Sequence, residues 1–180
     1  MPSCTRRQAL ATLAAAAVGA ALPSRTWAAA TRAHSRALHF AHLHTGERLA
    51  VEYCTAGEYV PDALAAVNTL LRDFRTGDVR AIDPALLDLL YDLRERTGAS
   101  RPFEIISGYR SPATNAALRR RSHGVASSSL HMQGKAIDIR VGDVPLAGLR
   151  RAALALGEGG VGYYPASNFV HVDTGRVRAW

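Results

Sequence analysis

Cysteine is nearly absent from this sequence: 180 residues hold Cys4 and Cys54 and no others. A closed structural zinc site is normally built from four side chains, usually including thiolates, so that class is excluded. Long hydrophobic runs are missing too, since the apolar stretch from Ala9 to Leu22 falls short of the roughly 20 residues a membrane-spanning helix needs. The glycine-rich run from Gly157 to Gly162 is not followed by a helix opening on a Lys-Ser/Thr pair, which argues against a phosphate cradle. Ser127, Ser128 and Ser129 lack the G-x-S-x-G elbow of a serine hydrolase. Basic residues outnumber acidic ones by 22 to 15, yet they are scattered apart from Arg119-Arg120-Arg121. That triplet closes a predicted helix, where cations suit the helix dipole, so no nucleic-acid surface is expected.

The amino-terminal end reads as an export signal. Thr5-Arg6-Arg7-Gln8 precedes the apolar run, and Ala28, Ala29 and Ala30 offer small residues for cleavage. The pattern predicts a twin-arginine-type signal peptide over residues 1–30, with one domain over residues 31–180. Removing the signal takes away three arginines and no acids, so the formal charge of +7 falls to +4. Cys4 leaves with it, and a single thiol cannot form an internal disulfide. The mature chain of about 150 residues is long enough for one core and is expected to carry no stable membrane anchor.

Histidine and aspartate are present where they can do chemistry. The stretch Ser129-Leu130-His131-Met132-Gln133-Gly134-Lys135-Ala136-Ile137-Asp138 offers an imidazole and a carboxylate seven residues apart, and Phe169-Val170-His171-Val172-Asp173 offers a second imidazole. Ligands of one zinc ion lie only some 3–4 Å apart, far less than seven residues of helix or strand would span. The chain must therefore turn back between His131 and Asp138, and Gly134 permits the turn. From Ala136 to Val141 the apolar residues alternate, as they do around His171, which predicts two half-buried strands. Side by side, these strands would place Asp138 and His171 on one face. Three protein ligands leave a fourth position open to water, as catalytic zinc sites do.

The remaining elements predict an α+β domain. Ala37–Leu43 and Arg48–Tyr53 form a hairpin about Thr45-Gly46-Glu47. His39, His42 and His44 in it are expected to be ordinary surface or turn histidines. Helices are predicted from Asp62 to Arg75, from the Asp83-Pro84 cap to Gly98, from Ser111-Pro112 to about Arg120, and from Val144-Pro145 to about Leu156. Arg72 and Asp73 fall at the polar edge of the first, where surface pairing is expected. Phe103–Ser107 reads as a strand leading to Arg110 on the turn into a helix, where a planar cation can hold a carboxylate or a polarised carbonyl. His123 lies in a small polar loop.

Taken together, Ser-x-His-x-x-Gly-x-Ala-x-Asp at 129–138, Phe-Val-His-Val-Asp at 169–173 and Ser107-Gly108-Tyr109-Arg110-Ser111 resemble the zinc D-Ala-D-Ala carboxypeptidase and murein endopeptidase superfamily. Within it the chain is most similar to the murein endopeptidase K-like group, to which Asn68–Arg75 and Ile82-Asp83-Pro84 also correspond. The resemblance implies a small antiparallel central sheet carrying the zinc ligands, flanked by helices in a hedgehog/D-Ala-D-Ala-peptidase-like arrangement. It implies Zn2+ held by His131, Asp138 and His171, with Arg110 steadying an oxyanion or a substrate carboxylate, and Tyr109 and Ser129 contacting substrate. The implied function is zinc-dependent cleavage of peptide crosslinks in peptidoglycan by a periplasmic monomer, its partner being the peptide stems. A D-Ala-D-Ala-type carboxypeptidase and a non-catalytic zinc-containing cell-wall binding module are the alternatives. One departure stands out: the better-known members of the superfamily carry Glu, Asp or His two or three residues before the last ligand, where this chain has Phe169 and Asn168. Asp173 is the expected substitute as general base, or else a partner that orients an imidazole.

Overall fold

The computed structural model describes residues 35–121 and 126–180. The signal sequence and His123 lie outside them. Eight strands form one mixed sheet in the order β3-β2-β1-β4-β5-β7-β6-β8. Their ranges are β1 Arg36–His42, β2 Arg48–Thr55, β3 Glu58–Tyr59, β4 Phe103–Ser107, β5 Ala136–Val141, β6 Gly160–Tyr164, β7 Phe169–Asp173 and β8 Arg178–Ala179. Four helices lie among the described residues: α1 Pro61–Leu70, α2 Pro84–Thr97, α3 Pro112–Arg121 and α4 Leu146–Leu156. The single α+β domain expected from the sequence is present. The strands carrying Asp138 and His171 pair antiparallel, as anticipated, but the sheet is larger than a small antiparallel one and includes the parallel pairs β1·β4 and β6·β8.

Alternation sorts the sheet into two faces. Leu38, Phe40, Phe103, Ile105, Ile137, Ile139, Val170 and Val172 are all at most 2 % exposed and join the helices' leucines in one core. Helix α1 packs on β2, α2 on β1 and on α4, and α4 on β5, β6 and β7. Asp138, His171 and Asp173 take the alternate positions and therefore face away from that core.

Local chemistry places the ends of α2 where they were expected. The Asp83 side chain accepts the Ala85 N–H, Pro84 occupies the first turn, and Gly98 closes the helix in a left-handed conformation. Helix α1 departs from expectation: it stops at Leu70 instead of running to Arg75. Beyond it the backbone finds partners outside the helix, since the Leu71 carbonyl accepts the Tyr109 N–H and the Asp73 N–H donates to the Asp78 carbonyl. The short strands β3 and β8 were not expected.

One of the three hairpin histidines differs from expectation. His39 and His44 are exposed, but His42 is only 2 % exposed. Its Nδ1 accepts the backbone N–H groups of His44 and Thr45 at 3.2 and 3.4 Å, and its ring meets the edge of Phe74. Burial, then the neighbouring His44, push the His42 imidazole below its ordinary value. Below pH of about 6.5 the unfolded chain therefore binds a proton that the folded one resists, so stability is lost as pH falls through that range. Urea midpoints at pH 8 and pH 5.5 are expected to differ more in the wild type than in His42→Asn, whose carbonyl can accept the same N–H groups. Equal differences would remove His42 as the cause.

Candidate metal centre

The two strands expected to carry the ligands are neighbours, and Asp138 and His171 are direct cross-strand partners. His131 reaches the same point from a 3-10 turn, Leu130–Gln133, that precedes β5. The turn is closed by Gly134 at φ +70°, and a Cβ there would lie 2.2 Å from the Ala81 carbonyl oxygen. Glycine is thus required for both conformation and space. The Gly134 carbonyl accepts the Asp83 N–H at 2.9 Å, and Thr174 donates to Asp83 at 2.9 Å, so the cap of α2 fastens the turn to the end of β7.

Three donor atoms converge there. His131 Nε2 lies 3.2 Å from His171 Nδ1 and 3.3 Å from Asp138 Oδ1, and His171 Nδ1 lies 2.9 Å from Asp138 Oδ1. Tetrahedral ligands at about 2.0–2.1 Å from an ion are separated by about 3.3 Å, so the set already has the spacing a metal requires. The far side of each ring is fixed. His131 Nδ1 is 2.8 Å from the Gly108 carbonyl and His171 Nε2 is 3.0 Å from Asp173 Oδ2, two acceptors that hold the ring protons outward. Two lone pairs and a carboxylate oxygen then face one another with no donor between them, an arrangement that a cation resolves. All three residues are buried, at 3 %, 6 % and 8 % exposed for His131, Asp138 and His171. Burial works to raise the Asp138 carboxyl, but His131 and then His171 outweigh it and keep it ionised. Burial likewise opposes a charge on His171, and the Asp138 and Asp173 carboxylates on either side of its ring outweigh it and raise its affinity for a proton.

Arg110 borders the triad, with NH2 3.7 Å from Asp138 Oδ2 and NH1 3.5 Å from Asn115 Oδ1. Its buried Nε has no partner among the described residues. Burial lowers its affinity for the proton while Asp138 opposes the change. An under-bonded guanidinium beside three donors is suited to receive an anionic oxygen. Ser129 lines the same cleft of about 500 Å³, together with Ser128, Tyr164, Phe169, Arg178 and Trp180.

Two expected residues are placed differently. Tyr109, expected at the substrate surface, is packed into the core at 8 % exposed and is held by its N–H to Leu71. Asp173 does not border the cleft and is fully buried. Its Oδ2 accepts from His171 and from Arg178 at 2.7 Å, and its Oδ1 from the N–H groups of Gly160 and Gly175 and from Arg178. Burial would raise its carboxyl, yet these donors hold it far below the ordinary range.

Asp73 was read as a surface residue and is 0 % exposed. Its carboxylate accepts the N–H groups of Ser111 at 2.9 Å and Arg75 at 3.1 Å. It anchors the segment whose Gly108 carbonyl orients His131 and whose Arg110 N–H donates to the His131 carbonyl. The local signal for it was an acid between apolar neighbours, Leu70, Leu71 and Phe74, where a solvated face would not fall.

A His-Asp-His set held by two strands and a turn, with one side open to a cleft and an arginine alongside, is the layout of a single-metal peptidase. The chain belongs to the peptidoglycan L,D-endopeptidase MepK family, whose model matches residues 30–180. It is 44 % identical over 175 residues to peptidoglycan L,D-endopeptidase MepK of Escherichia coli K12, covering 97 % of this chain and 96 % of that protein. A probable peptidoglycan L,D-endopeptidase MepK of Haemophilus influenzae is 45 % identical over 160 residues, covering 88 % and 86 % of the two chains.

Proposed function

We propose that this protein is a zinc-dependent murein endopeptidase that hydrolyses peptide crosslinks of peptidoglycan in the periplasm. The observation that carries the proposal is the convergence of His131 Nε2, Asp138 Oδ1 and His171 Nδ1 within 3.3 Å of one another on the floor of an open cleft. Family membership and the relatives' names supply the substrate, and the L,D designation supplies the stereochemistry of the cut bond. Export through the twin-arginine route with loss of residues 1–30 agrees with Arg6-Arg7 ahead of the apolar run. Among the described residues no helix is long and apolar enough to cross a membrane.

Zinc held by the three donors would polarise the scissile carbonyl and bring the pKa of a water in its fourth position down to about 7. The chain's own residues do the rest. Arg110 aims its guanidinium at the charge that develops on the carbonyl oxygen, or at a substrate carboxylate beside it. Ser129 offers a hydroxyl at the rim. The Gly108 carbonyl and Asp173 hold the two imidazoles in the orientation and tautomer that present lone pairs to the metal.

Asp173 therefore serves as a positioning residue. With zinc limiting, Asp173→Asn is expected to bind the metal about 10- to 100-fold more weakly. With zinc saturating, most of the turnover should return. Complete loss of turnover at saturating zinc would instead make Asp173 the general base.

The test of the function is incubation of the zinc-loaded protein with crosslinked muropeptides and identification of the products by mass. Loss of dimers supports the endopeptidase, and shortened monomers alone would indicate a carboxypeptidase. Among the described residues, Asp138 is the one carboxylate bordering the cleft, which favours a second reading, a zinc-containing wall-binding module. Retention on the polymer without any product would establish that reading.

A further inference from the structure

The cleft has one wall that the reaction outlined above does not use. Asp138, His171 and Gly162 lie in one row across β5, β7 and β6. The third place in that row has no side chain, and the space is taken by rings: a Cβ on Gly162 would lie 2.8 Å from Trp180 and 2.8 Å from Tyr164. Trp180 is held firmly. Its Nε1 donates to the Tyr164 hydroxyl at 2.7 Å, its backbone pairs with Val161 and Tyr163, and the Arg178 guanidinium lies 4.9 Å from its ring. The ring centroid is 5.2 Å from that of His171, and Tyr164 stacks on Phe169 at 4.6 Å. Despite this anchoring Trp180 remains 47 % exposed, beside the donor atoms.

A fixed indole with an open surface at the mouth of a polar cleft offers apolar contact without an ordering cost. Hydrolysis of a crosslink presents something for it to contact. Two peptide stems can be joined laterally only through a side chain, so one side of the amide to be cut continues into an aliphatic tether that a linear peptide lacks. We propose, building on the endopeptidase reading, that Trp180 with Tyr164 forms the subsite for this methylene tether and makes the cleft selective for crosslinked over linear peptides. Arg178, which joins Trp180 to Asp173, keeps the wall in register with His171.

The experiment compares a crosslinked muropeptide dimer with a linear peptide containing the same scissile bond. Trp180→Ala is expected to lower kcat/KM for the dimer at least tenfold, mainly through KM, and to lower it at least fivefold less for the linear peptide. Trp180→Phe, which keeps an aromatic face, should recover most of the loss. Gly162→Ala, which pushes the rings outward, should reproduce the selectivity change with the indole still present. Equal losses on both substrates, or no loss on either, would overturn the subsite and leave Trp180 as packing around His171.

A binding readout separates this proposal from the reaction. In chelator-treated full-length protein the dimer is expected to shift tryptophan emission, the linear peptide much less, and the shift should vanish in Trp180→Phe. If no substrate is cleaved by the zinc-loaded wild type but this shift occurs, the subsite stands and the hydrolase reading falls. If cleavage occurs and the dimer gives no shift, the subsite falls alone.

Discussion

Asp138→Ala is expected to carry no stoichiometric zinc and to cleave crosslinked muropeptides no faster than background. The reason is charge as much as geometry. Asp138 supplies the only anionic donor of the set, and the ion would otherwise be held in a buried place by two neutral rings. Removing one partner from a buried charged cluster leaves the others uncompensated, a far larger effect than trimming an exposed ion pair. Metal content measured by mass spectrometry on dialysed protein, alongside product analysis, checks both halves. One zinc per chain with wild-type turnover in this variant would end the metal assignment. Circular dichroism should show the fold retained, because Ile137 and Ile139 keep β5 in the core regardless of the side chain between them.

Arg110→Ala is expected to reduce kcat by about 10²–10³-fold while leaving zinc content intact, the usual scale for loss of a preorganised donor to a developing oxyanion. Arg110→Lys should recover only a small part, because an ammonium lacks the planar pair of donors and cannot span Asp138 and Asn115 as the guanidinium does. If the arginine instead binds a substrate carboxylate equally in ground and transition states, the loss appears in KM with kcat unchanged. Steady-state kinetics on a dimer over a wide concentration range separates the two, and wild-type constants would exclude Arg110 from the reaction.

The ligand geometry was legible because it rests on local rules. Alternation around Asp138 and His171 fixed which face each side chain takes, and a turn was forced by the short distance that one ion imposes on His131 and Asp138. Asp73 left only its apolar neighbours as a sign, because its partners are the backbone N–H groups of Ser111 and Arg75, and a backbone donor leaves no mark in the residue code. For the same reason the helical periodicity of Leu64, Val67, Leu70 and Leu71 continued past the point where α1 stops. Asp173 was legible as a neighbour of His171, with two roles open to it, but the closing of Arg178, Gly160 and Gly175 over its carboxylate was not. Trp180 carried no pattern, since its place is set by the missing side chain of Gly162, a residue eighteen positions earlier.

Because Asp138 and His171 oppose each other across two adjacent strands, an occupied site acts as a clamp on their alignment. A slip of either strand by a single residue would turn its donor inward and bring Ile or Val to the opening, so the ion recognises one arrangement of the two strands and no other. Binding must then raise the melting temperature, by an increment that keeps growing with the logarithm of free metal well past full occupancy. In a compartment where the supply of the ion fluctuates, the lifetime of the folded molecule and its capacity to work on the wall would rise and fall together.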